Sequence, residues 1–309
     1  MTDADTSAVP DAGSRHFAAV SVIVPAHDEA VLIERCLLSL RLGARVRELQ
    51  LVVVCNGCSD DTAAIARRVA PQAVVIETPV SAKHAALTLG DAAALHFPRC
   101  YVDADVVVSP GALDAVAAAL EEPGVHAAAP EPAFDLSKCG PGARLFLGIW
   151  EHSPYFTQDL VGSGFYAMSA AGRGRFGAFP PVVADDDFVL SLFPPQERRS
   201  VAGSSFTPLL PPTLRGLLHI HIRHLAARRE LEQWLSTSGE HRAIQLRAPS
   251  SRSWLVPLLR DPRRWPAIAV YVAVKALSAA GGAWKCRFGS MAAWNRDDAG
   301  RRAASGAAR

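Results

Sequence analysis

Apolar residues fall into short unbroken runs over the first hundred positions and then into helical spacing, and polar clusters close each run. Residues 18–25 (AAVSVIVP) and 49–54 (LQLVVV) are β-branched runs suited to strands buried on both faces of a parallel sheet, and 73–77 (AVVIE) reads as a third strand. Between them, 29–42 repeats apolar residues at Leu32, Cys36 and Leu40, which predicts a helix. Residues 62–69 and 82–96 read as two more helices, with Asp60 or Asp61 placed to cap the first. A fourth strand ends in YVDADVVVS (101–109), after which Ser109-Pro110 reads as a helix start. Strand and helix alternate through short loops, so right-handed crossovers follow. The polar exits at 27–29, 56–61 and 103–105 must then gather on one edge of the sheet, where open α/β sheets bind ligands.

Beyond 110 the rhythm changes. A helix over 110–120, a strand over 125–131 and a helix including 144–150 are expected, then a strand over 197–207 and a long helix over 213–234. Gly162 and Gly164 in VGSGFYAMS point to close approach of backbone to another element or a ligand. Residues 249–309 read as a helical appendage whose apolar run, 265–283, holds Lys275 at its centre. That run falls short of the ~20 residues needed to span a bilayer, so the expectation is a helix packed on the domain or lying on a membrane surface, with Trp254, Trp265, Trp284 and Trp294 seeking the interface. The domain plan is a disordered tail over 1–17, one domain over 18–235 with halves 18–109 and 110–235, the appendage at 249–295, and a disordered tail over 296–309.

Composition narrows the function classes. Half of the 309 residues are hydrophobic, enough for a full core, and a net charge of +2 argues against an electrostatic nucleic-acid binder. The first sixteen residues have no apolar core and do not read as a signal peptide. Of six cysteines only Cys55 and Cys58 form a CxxC, with no second pair, so reduced cytosolic thiols are expected rather than zinc or a redox centre.

Asp103 and Asp105 are the first candidate chemistry. Two carboxylates one residue apart repel each other unless a cation or an arginine lies between them, and a hard divalent ion that also takes phosphate oxygens answers that need. Solvated acids at a strand exit are the plainer reading. The three aspartates at 185–187 head an apolar helix, where simple capping and dipole complementation compete with a catalytic role. Phe146, Trp150, Tyr155, Phe156, Phe165 and Tyr166 suit either a core or a platform for a sugar. On the long helix His221, His224 and Arg228 fall near one face, and three readings stand: a solvated basic face, a diphosphate clamp, or a patch for anionic lipid.

VIVPAHDE (22–29), VVCNGCSDDT (53–62), KHAAL (83–87) and VDAD (102–105), in this order, resemble the nucleotide-sugar half of inverting family 2 glycosyltransferases of the GT-A type, and the resemblance runs over about 18–235. It implies an α/β GT-A fold with a mostly parallel central sheet and a nucleotide-diphosphate sugar donor. It also implies Mg2+ or Mn2+ held by Asp105 and Asp103. Donor contacts would come from Pro25, His27, Glu29, Asn56, Asp60, Lys83, Asp103 and Ala104, with Asp28 as a second candidate for the ribose. Asn56 stands where the family offers Asp to the base, which weakens a uracil assignment. A Glu-Asp pair of the family is matched by Asp185-Asp186, which makes Asp186 the general base with Asp187 the alternative. The Gln-x-x-Arg-Trp of processive synthases is absent, since Gln233 and Trp234 are adjacent, so transfer of a single sugar is expected. The acceptor is open: small molecule, lipid-linked or saccharide, reached in the cytoplasm or at the inner face of the membrane. A catalytically silent sugar-nucleotide-binding or membrane-associated assembly protein is the rival reading. A nucleotidyltransferase ranks last, because VPAHDE supplies no glycine-lysine phosphate loop.

Overall fold

The computed structural model describes residues 19–44, 46–157, 164–238 and 252–288. The proposed tails at 1–17 and 296–309 lie outside that range, as do residues 161–163 and the first residues of the appendage. In the first half, Val20–Ala26 (β1), Ile33–Gly43 (α1), Leu49–Asn56 (β2), Thr62–Val69 (α2), Val74–Thr78 (β3), Lys83–Ala93 (α3) and Arg99–Val102 (β4) alternate as the apolar runs predict. β1 pairs in parallel with β2 and β4, and β2 with β3. Every residue of β1 is buried, as a strand covered by helices on both faces must be.

The second half adds Val107–Val108 (β5), Ala112–Glu121 (α4), Ala127–Pro132 (β6), Pro141–Trp150 (α5), Pro154–Thr157 (α6), Phe165–Met168 (β7), Ala170–Arg173 (α7), Asp185–Ser191 (α8), Arg198–Thr207 (β8) and Leu214–Thr237 (α9). Leu255–Leu259 (α10) and Trp265–Phe288 (α11) follow. One eight-stranded sheet results, in the order β3-β2-β1-β4-β7-β6-β8-β5. β7 enters antiparallel between β4 and β6, so the sheet is mixed beyond β4. β6 therefore runs the same way as β4, and the ends of both strands reach one edge.

Local chemistry accounts for the shifted boundaries. α1 begins at Ile33 and not at 29, because Asp28 takes a left-handed φ of 48° and the amides of Leu32 and Ile33 turn back onto the Glu29 carbonyl. α2 is capped by Asp60, whose Oδ1 accepts from the Thr62 amide at 3.0 Å, while Asp61 makes no side-chain cap bond. α3 lies close on the sheet because residue 90 is glycine: a Cβ there would meet Ile23 Cγ2 at 2.4 Å.

α11 corrects an expectation. It runs 24 residues, and Pro262–Gly282 is long and apolar enough to cross a membrane by length and composition, so the apolar run is not too short to span. One face nevertheless packs into the protein, with Ile268, Tyr271 and Val274 buried against Phe146 and Leu217 of α5 and α9, and Gly281 against Ile222.

Candidate active site

The three polar exits meet at the edge where β1, β2 and β4 end. The His27 Nδ1 lies 2.6 Å from the Asn56 carbonyl oxygen, which can only accept, so Nδ1 carries the hydrogen. The Glu29 amide donates to Thr62 Oγ1 at 2.7 Å, and the Ser59 amide donates to Asp28 Oδ1 at 2.5 Å. Asp60 is spent on the loop itself: besides Thr62, its Oδ2 accepts from the Ala30 amide at 3.1 Å. Asp28, Cys58 and Asp60 bring ligand atoms within 4.8 Å of one another, but both carboxylates already take backbone amides. Cys58 is lowered to about 7, first by the hydrogen bond from Cys55, and the five described cysteines are free.

Asn56 is fully buried, yet neither its amide nitrogen nor its amide oxygen has a partner. Such a deficit costs about 1–3 kcal/mol, so a bound group offering both a donor and an acceptor would offset it. Pro25 is buried in β1, and Ala104 is buried in the main core, while its neighbours Asp103 and Asp105 are half-buried.

The DAD turn is held from two sides. The Asp103 amide donates to the Gly164 carbonyl at 2.8 Å, and Arg35 donates to the Asp105 carbonyl at 2.6 Å. Gly164 sits at φ 107° with Val106 so near that a Cβ would come within 2.9 Å of it, which is the close approach its sequence implied. Burial first, and then the charges of Asp105, Asp103 and Glu29, push up the pKa of the Cys36 thiol beneath this turn, with Arg35 opposing. Asp105, Asp103 and Glu29 thus lie within electrostatic reach of one thiol, and carboxylate oxygens are the donors that a divalent cation takes.

Lys83 joins the two acidic motifs. From the first turn of α3 its Nζ lies 2.7 Å from Asp103 Oδ1 and 2.9 Å from Asp185 Oδ1. Burial alone would lower its pKa, but the charges of Asp103 and Asp185 outweigh that and hold the ammonium protonated. Asp185 is buried at the head of α8 and also accepts from the Tyr166 hydroxyl at 3.0 Å. Burial raises its pKa to about 6, with Lys83 pulling down and Asp186 and Asp103 pushing up. Asp186 and Asp187 are half-buried beside it, and Asp186 Oδ1 takes the Asp187 amide at 2.9 Å. α9 fixes this corner: Glu230 accepts from the Val183 amide at 3.0 Å, and Trp234 meets Phe188 edge-on.

These links set a stability test. With a folded pKa near 6 against 3.8 for the free side chain, Asp185 holds its proton more firmly in the native state. Stability from this group therefore falls as pH rises from about 4 to about 6, and adds no slope above. Lys83→Met removes the cation that restrains this pKa, so the fall should continue above pH 6, by up to about 1.4 kcal/mol for each pH step of one. Urea midpoints at pH 6, 7 and 8 measure it; parallel curves for variant and native chain would exclude the linkage.

On the long helix the three basic candidates part company. His221 is buried against the rings of Phe146 and Trp150, with its Nε2 unpartnered and its pKa pushed down to about 2, mainly by burial. It lies on no solvated face. Arg228 pairs along the helix with Glu232. His224 is solvent-accessible but closely surrounded, and its pKa falls to about 4 through burial and then Arg223, opposed by Asp186. It stands within electrostatic reach of Asp186 in the acidic cluster.

The aromatic group also divides. Phe146, Phe165 and Tyr166 are core, while Phe156 lines a cavity of about 300 Å³ with Phe134, Leu136, Pro132, Glu131 and Glu151. The Tyr155 side chain lies outside what the structure describes. This cavity opens past the end of β6, at the same sheet edge as Asp103 and Asp105. Phe134 and Arg35 went unread in the sequence, and Tyr166 was read only as core or sugar platform; the register of β7 against β4 sets it opposite Tyr101, and its hydroxyl reaches Asp185.

Comparison with known proteins bears on the fold. Residues 21–166 match the family described as "Glycosyl transferase family 2". A mannosyltransferase of Pyrobaculum calidifontis, PcManGT, solved with GDP-Man and Mn2+, is 22% identical with a TM-score of 0.55, over 95% of this chain and 81% of its own. The glucosyl-3-phosphoglycerate synthase of Mycobacterium tuberculosis is also 22% identical, with a TM-score of 0.41 over 56% of this chain and 64% of its own. No curated protein matches the chain.

Proposed function

We propose that this chain is a glycosyltransferase of family 2 and GT-A type, and that it moves one sugar from a nucleotide-diphosphate donor to an acceptor hydroxyl with inversion. One observation carries the reading: Lys83 ties Asp103 to Asp185, so the acids after β4 and those heading α8 line one cleft. A transferase needs both sets, one towards the leaving diphosphate and one across the sugar from it.

Glu29, with Asp28 beside it, is positioned for the ribose, and the unpaired amide of Asn56 for a base that both donates and accepts. Asp105, with Asp103 second, would hold Mg2+ or Mn2+, which supplies charge neutralisation to the departing diphosphate. Asp103 is the weaker ligand because its Oδ1 already takes the Lys83 ammonium. Lys83 keeps its charge in the cleft and can pass from Asp103 to a phosphate oxygen. Asp185 is held by Tyr166 and Lys83 and positions its neighbour. Asp186 takes the proton of the acceptor hydroxyl as it attacks. The Mn2+ and GDP-Man of the Pyrobaculum enzyme support a divalent ion and a sugar nucleotide, while the base and sugar used by this chain stay open.

Purified protein offered uridine, thymidine and guanosine diphosphate sugars should release nucleoside diphosphate from one class, faster with Mn2+ or Mg2+. Tight donor binding without release, under any acceptor or metal tried, would favour the catalytically silent binding protein.

A further inference from the structure

α11 is apolar on its outer face as well as its inner one. Between 265 and 280 every exposed position carries an apolar side chain: Trp265, Pro266, Val272 and Leu277 together with five alanines. Its one charged residue in that stretch, Lys275, turns inward beside His221 and His224, and Ser278 is fully buried. A helix on a water-facing surface shows the reverse pattern. α10 extends the outer face with Val256 and Leu259, joined to α11 where Trp265 Nε1 donates to the Leu259 carbonyl at 3.0 Å. Val256, Leu259, Trp265, Val272 and Leu277 are each 50% to 59% exposed.

Basic residues collar this face. Arg260 and Arg263 are exposed between α10 and α11 and have no ion-pair partner among the described residues, while the single local acid, Asp261, is paired with Arg264 at 3.6 Å. Lys285 and Arg287 follow in the sequence at the other end of α11. We propose that the outer face of α10 and α11 is a docking surface for an anionic phospholipid bilayer, with α11 lying along the membrane and Arg260 and Arg263 among the headgroup phosphates.

Charge decides between occupants. A second copy of the chain would bring the same unpaired arginines to the contact and leave them unmatched, whereas an anionic surface matches both. A spanning arrangement would strip Ile268, Tyr271, Val274 and Gly281 from their seats on α5 and α9. Lying in the interface keeps those seats and buries the other side.

Flotation of the full-length protein with vesicles tests this without donor or acceptor. Vesicles of phosphatidylcholine mixed with phosphatidylglycerol should carry the protein, and vesicles of phosphatidylcholine alone should bind at least about tenfold more weakly, since each arginine near an anionic surface contributes roughly fivefold. Arg260→Glu with Arg263→Glu should erase that preference. Val272→Asp with Leu277→Asp should abolish binding to both while circular dichroism stays native, because both side chains point outward. The proposal is overturned by a full-length protein that floats with neither vesicle, by binding indifferent to Val272→Asp with Leu277→Asp, or by a dimer in solution that the same pair disperses in place of vesicle binding. Diphosphate release measured on the same samples separates its failure from that of the catalytic reading.

Discussion

Asp186→Asn is expected to turn over about 10²–10⁴ times more slowly than the native chain while binding donor equally well. Displacement at an anomeric carbon needs a base on the face opposite the leaving diphosphate. In the proposed reading Asp103 and Asp105 belong to the leaving-group side, and Asp103 is in the grip of Lys83. Asp185 is buried and already accepts from Tyr166 and Lys83, so an incoming hydroxyl has no free approach to it. Asp186 is the next acid in the same first turn of α8, half-buried and within electrostatic reach of His224. Steady-state rates and donor titrations of Asp186→Asn and Asp187→Asn separate the two candidates. Loss of turnover only in Asp187→Asn moves the base one residue on; indifference of both, or a product with retained anomeric configuration, removes the mechanism.

How much of this was legible follows from how local each feature is. The strands and helices from β1 to β4 were readable because a strand covered on both faces must be apolar throughout, and 20–26 and 51–55 are, but for Ser21. β5 is two residues long and β7 lies antiparallel among parallel strands, and neither leaves a periodic trace of its own. The exits at 27–29, 56–61 and 103–105 could be placed on one edge from topology alone. The bridge from Lys83 to Asp185 could not, since it joins α3 to α8 through folding of everything between. His221 shows the limit of spacing: its position on the helix was right, but only the packing of α5 and α11 against α9 reveals that it faces inward. Asp60 shows another, for a motif acid expected at the donor turns out to tie α2 to the first loop.

Asp105→Asn should lose divalent-dependent donor binding by more than about a hundredfold, and Asp103→Asn by less. Even outer partners of a metal ligand typically contribute about 10–100-fold, so removing the ligand itself must exceed that. The asymmetry between the two acids comes from Lys83, which already engages Asp103. Calorimetry of donor with and without Mn2+ measures both variants. Mn2+-assisted binding undiminished in Asp105→Asn would remove the metal assignment. The fold should be unaffected, because the Gly164 carbonyl and Arg35 hold the backbone of the turn.

The antiparallel insertion of β7 bears on how the chain is made. As residues emerge in order, β1 to β4 can pair among themselves by local crossovers, but the free edge of β4, with Cys100, Tyr101 and Val102, waits for residues 165–168. An unpaired apolar strand edge is a template for another chain. During synthesis the half-made sheet is thus most exposed to mispairing over the stretch that carries the DAD turn, and the Tyr166 hydroxyl reaches Asp185 only when that edge has closed. A fragment ending before residue 165 should therefore aggregate, not persist as a nucleotide-binding half.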